Sequence, residues 1–143
     1  MLFKASYYSK EDNAEIEKLV GKAFGLIKRL KMRGNGSQRL VVAEANAALA
    51  KIWASQSTPV LTSIELRPKG ILLWFRIKLD NWVLALPYYQ LSIIKSGESV
   101  AIHANKWKIK LLAANNIPLQ MKFFQKLLSL KKEFSDDANN SIQ

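Results

Sequence analysis

Residues 60–80, VLTSIELRPKGILLWFRIKLD, decide the fold because apolar and polar side chains alternate along two segments that flank a turn. Ile64 and Leu66 alternate with polar residues before Pro68-Lys69-Gly70, and the alternation resumes at Ile71. A period of two residues is typical of strands with one buried face, and Pro and Gly mark tight turns. The stretch therefore predicts two antiparallel strands joined by a short connection.

Three further strands are predicted after this pair. Residues 82–95 form one long strand that Pro87 must bend or place at a sheet edge, because proline cannot donate to a ladder. Residues 100–104 and 106–112 follow and are joined near Asn105. Connections this short leave no room for parallel crossovers. We therefore expect a five-stranded antiparallel meander.

Two helices are predicted before the sheet. Apolar residues at helical spacing predict a helix over residues 10–32, with Ser9 and Asp12 as a capping box and Gly34–Ser37 as its end. The alanine-rich run predicts a second helix over residues 41–54, although its first residues would also suit a strand.

A last helix is predicted after the sheet. Asn115 is its expected cap and Pro118 lies in its first turn. We expect residues 1–134 to form a single α+β domain, with the C-terminal helix packed on one face of the sheet and the N-terminal helical pair against the same face or one edge. Residues 135–143 are polar and are expected to form a flexible tail.

An alternative fold comes from a resemblance. Residues 60–134, with Leu86–Ile93 in the middle of the sheet, resemble small bacterial domains of the pleckstrin-homology-like type. The resemblance implies a partly open barrel of seven strands with a C-terminal helix. It rests on the order of the elements, and no functional residue follows from it.

The charge of the chain points to an anionic partner. The 143 residues contain 22 Lys and Arg against 11 Asp and Glu, a net charge of +11. Two of the acids lie after residue 134, so the first 134 residues carry 22 bases against nine acids, a net charge of +13. Such an excess favours binding to nucleic acid or to another polyanion.

The same composition argues against most catalytic chemistry. The chain has no Cys and one His, which excludes disulfides, thiolate metal sites and cysteine nucleophiles. Glu44 and Glu65 are the one acidic pair that we can name for a metal-dependent hydrolase or nuclease. His103 is expected to be structural. We therefore lean towards a protein that is not an enzyme, without cofactor or metal.

The sequence also bears on the compartment. It contains no apolar run long enough to cross a membrane and no segment typical of an export signal. We therefore expect no transmembrane segment and a cytoplasmic location. The oligomeric state stays open.

Three sets of residues are candidates for anion binding. The end of the first helix supplies Lys28, Arg29, Lys31 and Arg33; one strand presents Trp74 beside Arg76, where an aromatic ring and a cation project together; and another strand presents Lys106, Lys108 and Lys110. Each set has an ordinary structural explanation. Bases suit a helix end, lysines protect a strand edge, and Trp74 could lie beneath a helix. Lys122 and Lys126 on the last helix are expected to be solvated.

The leading hypothesis is a non-catalytic basic domain that binds a polyanion, with nucleic acid first. The alternatives are an interaction or scaffold domain for an acidic protein or an anionic membrane surface, and a hydrolase whose acids converge only in the fold.

Overall fold

The computed structural model describes residues 1–4, 9–54, 56–114 and 116–142. Within them the strands are β1 Leu2–Lys4, β2 Leu40–Ala45, β3 Leu61–Leu66, β4 Gly70–Ile77, β5 Asp80–Pro87, β6 Leu91–Ser96, β7 Ser99–Ala104 and β8 Trp107–Ala113. The helices are α1 Lys10–Val20, α2 Leu26–Met32, α3 Ala47–Trp53 and α4 Met121–Ile142, and a 3₁₀ turn spans Tyr88–Gln90.

The strands form one antiparallel sheet in the order β1-β5-β4-β3-β2-β8-β7-β6. Strands β3 to β5 make one meander and β6 to β8 make another. Strand β2 joins the two, since Leu40 lies opposite Thr62 of β3 on one side and opposite Ala113 of β8 on the other.

The main core shows that this sheet is curved. Leu84 of β5 and Ile102 of β7 belong to the same buried cluster, although four strands lie between them in the sheet order. A flat sheet would hold them more than 20 Å apart, because neighbouring strands are about 4.8 Å apart. The inner face therefore encloses one core, to which α3 contributes Leu49 and α4 contributes Phe123.

Helix α1 packs on the opposite face of the sheet. Ile16 and Val20 form a second buried cluster with outward-facing residues of β4 and β5, among them Leu72 and Val83. We expected the N-terminal helices on the same face as the last helix or along one edge. The structure instead places α1 and α4 on opposite faces, because β4 is apolar on both sides at Ile71–Leu73.

The predicted five-stranded sheet is wrong, because the described residues form eight strands while the α+β class is retained. The segment 82–95 is two strands: β5 ends at Pro87, the 3₁₀ turn follows, and β6 begins at Leu91. Strand β1 was not predicted, and a strand at the position of β2 was raised only as an alternative to the start of the second helix. The pleckstrin-homology-like barrel stays a prediction, because seven strands from β2 to β8 and a terminal helix do not by themselves define a family.

The predicted helix over residues 10–32 is interrupted. Its start is confirmed, since the Asp12 N–H donates to Ser9 Oγ and the Ser9 N–H donates to Asp12 Oδ2. Helix α1 then ends at Val20 because Gly21 adopts a φ of 88°, outside the helical range. The Gly21 carbonyl accepts a hydrogen bond from Arg67 Nη1 at 3.0 Å, which ties this break to the β3–β4 turn.

The first part of the segment predicted as a helix, residues 41–54, is a strand. Residues 40–45 form β2, and α3 begins after the cap residue Asn46. The helical propensity of the alanines is overridden by pairing with β3 and β8. That pairing depends on partners about 20 and 70 residues away in sequence, so a local pattern does not show it.

Helix α4 is longer than predicted. It continues through Ile142, into the segment that we expected to be a flexible tail, and no Gly or Pro after Pro118 stops it. The expected cap Asn115 lies outside the described residues. Among the helices of the described chain, none has the length and apolar content that a membrane crossing requires.

Gly70 begins β4 where three segments meet. A Cβ at this position would lie 2.6 Å from Val20 Cγ1 and 2.8 Å from Pro87 Cα, and closer still to the Leu86 carbonyl oxygen. We expect Gly70→Ala to lower the free energy of unfolding by about 3 kcal/mol, because backbone atoms of β5 would have to move. Urea denaturation measures the change. Gly36→Ala is the control, since a Cβ there meets nothing within 4 Å, and an equal effect of the two changes would contradict the prediction.

The ionisation of Tyr88 makes the stability of the protein depend on pH in the alkaline range. Its hydroxyl donates to the Arg67 carbonyl at 2.8 Å, and burial, then the charge of Glu133, raises its pKa well above the usual value. The unfolded state loses this proton near pH 10 while the folded state keeps it. We therefore expect the free energy of unfolding to fall above pH 10, by up to about 1.4 kcal/mol per pH unit from this group. Tyr88→Phe should lack that component in denaturation at pH 9 to 11, and a parallel decline in both proteins would contradict it.

Candidate anion-binding surface

A groove of about 680 Å³ lies on the outer face of the sheet, beside the area that α1 covers. We call it the outer groove. Its floor includes Ser63 of β3 and Trp74 and Arg76 of β4, which face outward because inward positions alternate with them. Residues 56–59, between α3 and β3, form a wall.

The wall is fixed to the end of β4 by a side chain. Gln56 Oε1 accepts a hydrogen bond of 3.1 Å from the Lys78 N–H. Lys78 has a φ of 56°, so the strand turns sharply there and Lys78 remains at the groove. The sequence prediction that Trp74 and Arg76 project together agrees with this placement.

The outer groove is cationic. Arg39, Arg76 and Lys78 line it, and none of its lining residues is acidic. The nearest acids on the adjoining strands already have partners, since Glu65 pairs with Arg67 and Asp80 pairs with Lys4. Within the described part of the chain, none of the three groove cations takes part in an ion pair. Their charge is therefore available to an anion.

Trp74 combines the two roles that the sequence left open. Part of its ring packs against the cluster beneath α1, and the side chain is half-buried. The remaining surface lines the outer groove. A ring held on one side by a core is a rigid platform, on which a flat ligand can stack without ordering the ring first.

A second basic groove, of about 1190 Å³, lies between α2 and α4. We call it the helix groove. Lys28, Lys31 and Arg33 line one side of it and Lys122 and Lys126 the other, with Glu133 as the single acid among its lining residues. The structure therefore brings three of the four predicted residues of this set together, while Arg29 lies outside the lining.

Lys126 holds the two helices together. Its Nζ donates to the carbonyls of Met32 and Gly34, each at 3.1 Å, where α2 ends. A cation is favourable at this position because the carbonyls at a helix C-terminus carry partial negative charge. The expectation that Lys126 is simply solvated is therefore wrong, since it reaches 94 residues back along the chain.

Two separate hollows divide the third predicted set, Lys106, Lys108 and Lys110. Lys106 lies in the β7–β8 turn, 5.1 Å from the centre of the Trp107 ring, and lines a hollow with Met1. Burial, then the charge of Lys106, lowers the pKa of the Met1 amino group. Lys108 and Lys110 line a separate hollow, where Lys110 lies opposite Glu44 and Lys108 opposite His103. An acid therefore shares the site of this pair.

The acidic pair named for a hydrolase is far apart. Val41 lies opposite Leu61, and Glu44 and Glu65 lie in opposite directions from that point along antiparallel strands. Their separation is roughly 20 Å at about 3.3 Å per residue, so one metal ion cannot bind both. Among the described residues, no three acidic or histidine side chains cluster as metal ligands.

The chain matches no family model, no curated protein and no solved structure. The candidate site is therefore identified from its geometry and charge. Sequence reasoning missed Arg39 at the outer groove, because only the pairing of β2 with β3 brings it there.

The contact of Lys126 with α2 can be tested by hydrogen exchange. Lys126→Met removes both hydrogen bonds to the end of α2, so we expect the amides of Arg33 and Gly34 to exchange about tenfold faster. Lys122→Met is the matched control, because Lys122 lies one turn earlier in the same groove, while the side-chain donor to these carbonyls is Lys126. Equal exchange in both variants would show that the contact is dispensable.

Proposed function

We propose that this protein binds a polyanion without catalysing a reaction, and that single-stranded nucleic acid is the ligand of the outer groove. The observation that carries the proposal is an aromatic platform, Trp74, among three cations without an acid in the lining. Single strands offer exposed base faces and regularly spaced phosphates, so both features find a partner in one ligand.

The size of the outer groove favours a flexible strand over a duplex. Its volume of about 680 Å³ is in the range of small-molecule sites, which suits one or two nucleotides. In a duplex the base faces are stacked and Trp74 would have no partner. An acidic protein, an alternative raised by the charge, supplies carboxylates but lacks the regular succession of flat rings and anionic groups that a single strand offers.

The proposal includes a cytoplasmic location, which fits a chain without cysteine. It also predicts fast, salt-sensitive binding, because the attraction comes from cations that lie at the surface.

The aromatic and the cationic residues of the outer groove should contribute differently to the affinity and to its dependence on salt. Fluorescence anisotropy of a labelled oligothymidine, titrated at several salt concentrations, gives the affinity and its salt slope. For three phosphate contacts we expect a slope near −2, since each contact to a single strand contributes about −0.7. Arg76→Ala should flatten the slope by about 0.7. Trp74→Ala should weaken binding by about tenfold with the slope unchanged, because stacking involves no counterion.

Two control variants accompany this experiment. Trp74→Phe keeps a ring and should recover part of the affinity. Lys95→Ala removes an exposed cation from β6, at the far edge of the sheet, and should leave the affinity within twofold if the site is local. Absence of binding at low salt, or equal losses for Arg76→Ala and Lys95→Ala, would refute the outer groove as the site.

A further inference from the structure

Helix α2 exposes large aliphatic side chains that no other part of the described structure covers. Leu26, Ile27 and Leu30 are 65%, 71% and 69% exposed, and α2 has no buried residue. We call these three residues the apolar ridge. Leaving several large aliphatic side chains in water on one short element is costly, so such a patch marks an interaction surface.

The ridge is directed away from the body of the protein. At 100° per residue, Leu26, Ile27 and Leu30 lie within one 100° arc of the helix. Met32 lies on the opposite side of α2, and its side chain packs against the main core. Arg29 and Lys31 lie on the two flanks of the ridge, one on each side.

Contacts at both ends of the helix hold this orientation. Phe24, just before α2, packs against the main core, and Met32 does so at the other end. Lys126 holds the carbonyls of Met32 and Gly34. The ridge therefore cannot turn inward unless these contacts break.

The charge around the ridge identifies its partner. Residues 22–33, which include the ridge, contain five bases and no acid. A second copy of this surface would bring like charges together, which opposes self-association. A nucleic acid would neutralise the bases but offers little apolar surface to aliphatic side chains. An anionic bilayer offers both, with acyl chains beneath a layer of negative headgroups.

We propose that α2 docks this protein on the surface of an anionic lipid bilayer, with the apolar ridge inserted at the level of the headgroups. Arg29 and Lys31 extend from the flanks to the lipid phosphates, as long basic side chains do at interfaces. This inference is independent of the outer groove, which lies on the outer face of β3 and β4 and uses other residues. Three inserted side chains give reversible association, not stable anchoring.

Vesicle sedimentation tests the apolar and the electrostatic contributions to membrane binding separately. We expect the wild-type protein to sediment with vesicles of phosphatidylcholine and phosphatidylserine, but not with phosphatidylcholine alone. Leu26→Ser with Leu30→Ser should weaken binding at least tenfold. Arg29→Gln with Lys31→Gln should weaken it about 25-fold, since each base near an acidic surface contributes roughly a factor of five.

Matched controls keep the test specific to α2. Leu79→Ser removes another exposed leucine, 86% exposed in the β4–β5 turn, and should leave vesicle binding unchanged. The side chains replaced in the ridge variants are not buried, so the thermal unfolding of these variants should match that of the wild type. Their affinity for the oligothymidine should also be unchanged, whereas Trp74→Ala should sediment with vesicles normally. Failure of one proposal is thereby distinguishable from failure of the other.

Insertion depth can be measured directly because the chain contains no cysteine. A polarity-sensitive fluorophore on Ile27→Cys should shift to shorter wavelength with acidic vesicles, while the same label on Ser96→Cys should not. Failure of the wild type to sediment, equal sedimentation of the ridge variants, or no shift at position 27 would overturn the proposal. So would a dimer in solution that Leu30→Ser abolishes, because the occupant of the ridge would then be a second copy.

Discussion

The double pairing of β2 is the constraint on which the structure depends. One meander, β3 to β5, and another, β6 to β8, would each expose a strand edge, and β2 bonds to both edges at once. The inner faces of the two meanders then enclose one core. Edges that are paired in this way cannot pair with other chains, so the same contact that builds the core also protects it.

The curved sheet encloses a core of apolar side chains, so the candidate binding sites lie on the surface of the protein. The inner face is filled by apolar side chains, with α3 and α4 covering it. The outer face is covered by α1 only over part of β4 and β5. The outer groove lies where that cover stops, so Trp74 is supported on one side and open on the other. The outer groove therefore exists because α1 covers only part of the outer face of the sheet.

The break in the first helical segment has a comparable effect. Gly21 ends α1 against the β3–β4 turn, and α2 then lies beside α4 with its ridge outward. In one continuous helix, Leu26, Ile27 and Leu30 would have extended the stripe that buries Ile16 and Val20. The break at Gly21 therefore leaves core-type residues exposed, within a segment, residues 22–33, that contains five bases and no acid.

The sequence by itself determined the local features: the alternation that faces Phe75 inward and Trp74 outward, the capping box at Ser9, and the surplus of bases. These follow from periodicity and from groups a few residues apart, so they survive without knowledge of the rest of the chain. Only the tertiary structure decided that residues 40–45 form a strand, that Arg39 joins Trp74, and that Lys126 holds the end of α2. Each of those depends on partners distant in sequence, because sheet pairing and packing can override local propensity wherever they bury more surface than the local alternative.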